Sequence, residues 1–346
     1  MQGGSVSDVT SNSNWSKVEL SDQVSSANGA NFVTNYAPAA VALGQRIYYF
    51  WVDTHSSGKT YMAYQDQFGN YSSCAYRINV QTNSSTSELD LASNLSANVG
   101  PNGTSIALNW FNPSSTSLKL HTLVLDPANI DDTNMRWIGT EGSTIQPSDY
   151  GLSSVDSSYY RISTAWFTQG SLGNFSVTSF YSSDDNHVYF LLYPINDNGT
   201  PSHTGTSHVF PVKDFDAKRG VYISRDPAGR LYAVFCKNDS NYDLYYTTFN
   251  TYQTVQQDTS GNNPTLNWNT ASLLNGNSKN SEKGPAVTFV GGNSSSSTIQ
   301  LRNSSGQNQN FSCTNYPQYS IVMYADSNQS GSAYDIQAQV DRKSVV

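Results

Sequence analysis

At 346 residues, with a formal net charge of −8 and a pI near 5.0, the chain carries the wrong sign for nucleic acid or an anionic membrane, which both demand clustered Lys and Arg. Its acidity is spread thinly and forms no tail, and no apolar run approaches a membrane span, so neither a charged arm nor a spanning helix is expected. The length suffices to bury a large core without staples, and the three cysteines, Cys74, Cys236 and Cys313, are too scattered for a disulfide framework or a zinc site.

Composition then selects a fold class. The chain holds 23 Tyr, 14 Phe and 6 Trp and abundant Ser, Asn and Thr, while long Ala/Glu/Lys/Leu stretches are missing. Such residues suit a pleated, half-buried surface, and an all-β fold is expected. The N-terminal MQGGSVSDVTSNSNWSK lacks a basic-then-apolar leader. Residues 1–31 read as an N-terminal segment in which Trp15–Leu20 supplies a lone strand, and 32–346 as one domain.

In chain order, Ala37–Asp53 is an apolar strand, a small turn, and the aromatic run Arg46-Ile47-Tyr48-Tyr49-Phe50-Trp51. Ser105–Trp110 and Leu118–Leu125 form the next strand pair around Asn112–Ser117, and Asn174–Tyr181 with Val188–Tyr193 another around Ser182–Asn186. Gly220–Asn250 reads as three strands, with turns at Asp226-Pro227-Ala228-Gly229 and Lys237–Asn241. Arg230-Leu231-Tyr232-Ala233-Val234-Phe235 lies over the earlier aromatic run, and a tyrosine, Tyr61 or Tyr245, follows each Arg at the same distance. Ala286–Val290 with Thr298–Leu301, and Ile321–Ala325 with Tyr334–Val340, complete the hairpins. Ala75–Val80, Met135–Ile138 and Tyr160–Phe167 read as outer strands, and Asn250–Glu282 as a polar interval holding another. Four-stranded units recurring at roughly 45–70 residues predict a β-propeller of about six blades, with five or seven also compatible. Two β-sandwich domains divided near Asp126–Ser157 are the competing architecture.

Chemistry is harder to find. Phosphate loops, zinc-protease helices and nucleophile elbows are absent, and the histidines His55, His121, His187, His203 and His208 show no ligand spacing. Glycosidases need two facing carboxyls, yet Glu19, Glu88, Glu141 and Glu282 are the only glutamates, each in a polar stretch. The aspartates cluster with Asn, Ser and Gly, as turn-formers do. Asp239-Ser240-Asn241-Tyr242-Asp243 alternates oxygen ligands but lacks the Gly and distant Glu of a calcium loop. No cofactor or metal is expected. Sugars, by contrast, present an apolar face ringed by hydroxyls, which Trp and amides meet. Trp51, Trp110 and Trp166 lie inside strand patterns and read as core. Trp137, next to Arg136, and Trp268, between Asn267 and Asn269, have polar neighbours and are the candidate ligand-binding residues.

The recurring R-[IL]-Y, aromatic strand, Asn/Ser turn and Tyr-bearing strand, clearest at Arg46–Tyr61 and Arg230–Tyr245, resembles blades of sugar-binding β-propeller lectins of fungi and bacteria. The fucose-binding members carry a regular Arg, Glu and Trp set, and the scarcity of Glu here departs from it. Asp197-Asn198-Gly199-Thr200 resembles the Asp-box turn of sialidase propellers, with Pro201 and Ser202 in place of its Thr and aromatic. The resemblance implies a non-catalytic, multivalent lectin whose partners are glycans; a propeller glycoside hydrolase or lyase and a secreted interaction scaffold are the alternatives. Asn-x-Ser/Thr sequons at Asn14, Asn70, Asn83, Asn94, Asn102, Asn174, Asn198, Asn238, Asn293, Asn303, Asn310 and Asn328 fit a secreted protein.

Overall fold

The computed structural model describes residues 18–55, 58–82, 85–91, 93–112, 119–146, 162–168, 173–182, 187–202, 208–211, 217–225, 231–237 and 243–249, and beyond these 255–256, 265–266, 269–273, 285–290, 297–302, 308–313, 317–326 and 335–344. Nearly all of this is antiparallel strand. The first meander is β1 (Ala39–Leu43), β2 (Arg46–Asp53), β3 (Lys59–Asp66) and β4 (Tyr76–Gln81), with β5 (Thr86–Glu88) on its edge. Gly44 allows its first tight turn, with φ at +60°. The second is β6 (Ser96–Val99), β7 (Ile106–Phe111) and β8 (Leu120–Leu125), continued by β9 (Ile130–Asp131) and β10 (Arg136–Glu141). β11 (Ser163–Thr168), β12 (Asn174–Ser182), β13 (His187–Ile195) and β14 (His208–Pro211) make the third. β15 (Ala217–Arg225), β16 (Leu231–Lys237) and β17 (Leu244–Phe249) make the fourth, ending on β20 (Ser272–Leu273) after the ribbon β18 (Val255–Gln256) and β19 (Thr265–Leu266). In the last, β21 (Ala286–Val290) pairs β24 (Pro317–Asp326) and β25 (Asp335–Ser344), and β22 (Ser297–Arg302) pairs β23 (Asn308–Cys313).

The first strands of successive meanders, β1, β6, β11, β15 and β21, pack side by side. That succession is the innermost ring of a β-propeller. The described strands make five such units, the lower end of the range expected and one fewer than the favoured six. The first two share a seam at their outer edges, where β4 and β10 run parallel with Gln81 opposite Thr140.

Hydrophobic clusters lie between units, as propeller blades require of their two apolar faces. Phe50, Ile78, Leu108 and Trp137 join the first and second; Phe111, Leu120, Phe180 and Leu191 the second and third. Phe167, Phe190, Ile223 and Phe235 join the third and fourth, and Val234, Cys236 and Val287 the fourth and fifth. Serines stitch the inner strands together. The Ser163 hydroxyl bridges the backbone oxygen (3.1 Å) and N–H (2.9 Å) of Ile223, Ser179 donates to the oxygen of Val221, and the Thr164 N–H donates to Ser96 Oγ at 2.9 Å. Each of these hydroxyls is buried, so each is a committed contact between blades.

Three element assignments differ from the sequence expectation. Ala286–Val290 and Thr298–Leu301 do not form a hairpin: β21 pairs β24, and β22 pairs β23. Tyr160–Phe167 is expected on the outside of a blade, but β11, Ser163–Thr168, is an inner strand, bound on one edge to β12 and packed against β6 and β15. Its Ser, Thr and Ala are small enough for that crowded ring. Leu20–Gln23 is one helical turn and not strand, and Ser25 bridges Cys74, docking residues 18–31 on the first blade. Val24 and Ala30 are buried there against Trp51 and Tyr61. Residues 15–17, the rest of the expected lone strand, lie outside the described residues.

Candidate functional site

The parallel seam determines where a cleft forms. At the C-terminal ends of β4 and β10 the strands part, leaving a cavity of about 450 Å³ between Gln81–Thr82 and residues 140–144. It is an open groove whose surface is about half carbon, with the polar groups of Gln81, Thr82, Thr140, Ser143 and Thr144 set along it. Thr82 is fixed by its N–H (2.8 Å) and hydroxyl (3.1 Å), both donating to the oxygen of Ser85. On the opposite wall the Gly142 N–H donates to the oxygen of Thr122 at 2.8 Å, anchoring the chain that leaves β10.

Among the described residues one ionisable group reaches this cleft. Glu141, the last residue of β10, lines it and is bound through Oε1 to His121 Nδ1 at 2.8 Å. The imidazole lies flat on Trp110, its directly opposite partner on β7, with ring centroids 5.4 Å apart and planes 10° from parallel. The His121 side chain is 16% exposed and that of Glu141 37%. His121 Nε2 is buried without a partner, and an orphaned lone pair there costs less than an orphaned N–H. With a proton on Nδ1 the imidazole donates to the carboxylate. Among the described residues Glu141 Oε2 accepts no protein hydrogen bond, so one oxygen is held and the other is free for a substrate hydroxyl or water.

A second charged cluster lies across β3, β4 and β5. Glu88 accepts from Lys59 Nζ at 2.6 Å and from Arg77, whose other nitrogen donates to the oxygen of Asn28 at 2.5 Å. Lys59 and then Arg77 hold the Glu88 carboxyl below the usual carboxylate range. All its partners are protein groups, so it locks β5 and residue 28 to the blade and leaves no site. Elsewhere Asn134 and Arg136 hold Asp131 low, and burial followed by the bond to Asp132 pushes the Tyr76 phenol far up. Among the described residues no group of His, Cys, Asp and Glu is arranged to hold a metal.

Of the candidate ligand residues, Trp137, Arg136 and Asn269 fall among the described residues. Trp137 is fully buried between Tyr48 and Phe50, at 5.2 and 6.1 Å, and its indole N–H donates to the oxygen of Asp126 at 2.7 Å. No face remains for a sugar, and Trp137 is core. Arg136 is bound to Asp131 at 3.1 Å on the other side of the strand. Asn269 is exposed, with its amide donating to Thr248 Oγ1 at 2.6 Å, and Asn267 and Trp268 lie outside the described residues. The Asp239–Asn241 part of the calcium-like run lies outside them too, as does His203. Asn196–Pro201 is a structural turn, with Gly199 at φ +91°. Cys74 and Cys236 are buried, and burial raises the Cys74 thiol.

No family model matches the chain, and no curated protein matches it. Solved structures are similar in outline. A protein of unknown function from Dyadobacter fermentans aligns at 9% identity over 88% of this chain and 75% of its own, with a TM-score of 0.47. An exo-β-1,3-galactanase from Clostridium thermocellum aligns at 11% identity over 92% and 60%, TM-score 0.45. An endo-arabinase from Bacteroides thetaiotaomicron aligns at 9% over 91% and 96%, TM-score 0.40. At these values the likeness is one of general outline. The two of these neighbours with named activities are a galactanase and an endo-arabinase, and neither is a lectin. The reading of a non-catalytic lectin is corrected on the residues themselves. The burial of Trp137 removes one of the two tryptophans on which that reading leaned, and Trp268 lies outside the described residues.

Proposed function

We propose that the chain is a propeller glycoside hydrolase acting on a neutral glycan, with Glu141 as a general base in the seam cleft. The observation that carries this reading is the His121–Glu141 pair at the wall of an open groove set with hydroxyls and an amide. Hydroxyls and amides exchange hydrogen bonds with sugar hydroxyls, and the volume lies within the range of small-ligand sites, roughly 300–1,000 Å³. An ionised carboxylate held by an imidazole N–H is in the form that takes a proton. That suits the base that removes a proton from the attacking water as the water oxygen displaces the glycosidic oxygen; the proton the leaving oxygen takes up comes from bulk water or from an acid outside the residues that line the cleft. The stack on Trp110 fixes the imidazole plane, and the imidazole fixes the carboxylate. The net charge of −8 repels polyanionic substrates and favours neutral ones.

The test is turnover of chromogenic glycosides and of neutral polysaccharides, arabinan, galactan and xylan, by the purified chain. Release of reducing ends is expected, with Glu141→Gln lowering the rate about 10²- to 10⁴-fold at unchanged melting temperature. His121→Asn is expected to lower it less, because the carboxylate remains. No turnover on the whole panel, or full activity in Glu141→Gln, overturns the proposal.

A further inference from the structure

Sequons in this chain differ in what their asparagines are doing. Asn94 is 4% exposed, and its Oδ1 accepts the Ala37 N–H at 2.6 Å. Asn174 has committed Nδ2 to Asp197 at 2.9 Å, and Asn70 has committed its own to Asp66 at 3.0 Å. In the Asn198 sequon the Thr200 hydroxyl is tied to Asn198 Oδ1 at 2.8 Å, and Thr200 is buried.

Asn102 is different. It caps the hairpin between β6 and β7, where Asn102, Gly103 and Thr104 are all exposed. Its Oδ1 accepts the N–H groups of Thr104 (3.0 Å) and Ser105 (3.2 Å) and the Ser105 hydroxyl (2.9 Å). With the oxygen turned inward, Nδ2 faces away from the turn and has no partner among the described residues. Gly103, at φ +68°, has nothing within 4 Å of the position a Cβ would take, so the space beside the amide is open. The loop itself is rigid. The Asn102 N–H donates to the oxygen of Asp197 at 2.7 Å, and the Gly103 N–H to that of Gly100 at 2.9 Å.

We propose that Asn102 is an N-glycosylation site, competent to accept a glycan wherever the donor is supplied. The donor class is an oligosaccharide on a polyprenyl diphosphate. Nδ2 bonds to the anomeric carbon and gives up one proton, while the anomeric C–O bond to the diphosphate breaks and polyprenyl diphosphate leaves. The glycan then stands in solvent, breaking none of the bonds that hold the turn. At Asn94 the same glycan requires the Ala37 contact and the surrounding core to open. This proposal is independent of the reading of the cleft.

The experiment expresses the full chain behind a secretion leader in a eukaryotic host and maps its peptides after enzymatic deglycosylation in ¹⁸O-water, which marks each former glycosylated Asn. The mark is expected on Asn102 and not on Asn94 or Asn174. Asn102→Gln and Thr104→Ala are each expected to lose one glycan's worth of gel shift; Asn102→Gln also gives up the three bonds to Oδ1 and lowers the melting temperature, whereas Thr104→Ala keeps that cap and leaves it unchanged. Retained chain is mapped the same way, since transfer precedes export. An unmarked Asn102, or a marked Asn94 in folded protein, overturns the proposal.

Discussion

At the scale of single residues, the Lys59–Glu88–Arg77 cluster makes stability depend on pH with a definite sign. The folded state holds the Glu88 carboxyl below its unfolded value, so the unfolded chain binds the extra proton first. Its contribution is complete above the ordinary glutamate pKa of about 4.3 and is lost as pH falls through the lower folded value. Glu88→Gln should therefore depress the melting temperature at pH 7 and narrow that gap at pH 3; an equal loss at both would refute the linkage. Trp137 makes a different kind of prediction. Truncation to Ala should cost about 3–5 kcal/mol in chemical denaturation, because it empties the space between Tyr48 and Phe50. A ligand-facing tryptophan would instead lose binding with stability intact. Its polar neighbours misled the sequence reading for a simple reason. On a strand, adjacent residues point to opposite faces, so Arg136 outside says nothing of Trp137 inside. His121 and Glu141 were each set aside singly in the sequence for the complementary reason: they are distant in the chain and become a pair only once β8 and β10 pair.

At the scale of elements, the repeat legible in the sequence turns out to be a cross-strand pair. Trp51 sits opposite Tyr61 and Phe235 opposite Tyr245, stacked at 5.8 and 6.2 Å with planes 22° and 19° apart. The equal spacing fixes the same register on the central strand pair of the first and fourth blades. Strand existence was readable from such alternation; strand place was not. β11 passed for an outer strand because inner and outer strands share a period of two, and only neighbours from other blades distinguish them. The β4–β10 seam was equally hidden, being parallel and formed between units far apart in the chain. Its geometry depends on Gly139, opposite Val80: a Cβ there would lie 2.7 Å from Leu123 Cγ and 2.8 Å from Leu125 Cδ2. Gly139→Ala should cost about 1–3 kcal/mol by overpacking, read as a shift of the denaturation midpoint. Should the seam be loose, the substitution will be silent.

At the scale of the molecule, the question is whether blades behave as neighbours or as one body. Repeat architectures unfold unit by unit when their interfaces are weak and together when the interfaces are strong. Here the interfaces combine apolar clusters with buried hydroxyls, and Ser163 is the clearest single tie, since its hydroxyl serves both backbone groups of Ile223. Ser163→Ala leaves the β11–β12 ladder intact but strands the Ile223 N–H and oxygen, at a cost of about 1–3 kcal/mol each if no water enters. Native-state hydrogen exchange reads where that loss is felt. If the blades are coupled, amides of β12 and β16, the doubly paired centres of their sheets, will exchange faster by a common factor. If each blade stands alone, acceleration will stay near Ile223 on β15, and β12 will keep its protection. We expect the common factor, because β11 packs on β6 and on β15 at once, and Ser179 ties β12 to the same strand through Val221. A loss at one such hydroxyl is then shared by the second, third and fourth blades, the second of which carries the Glu141 wall of the cleft.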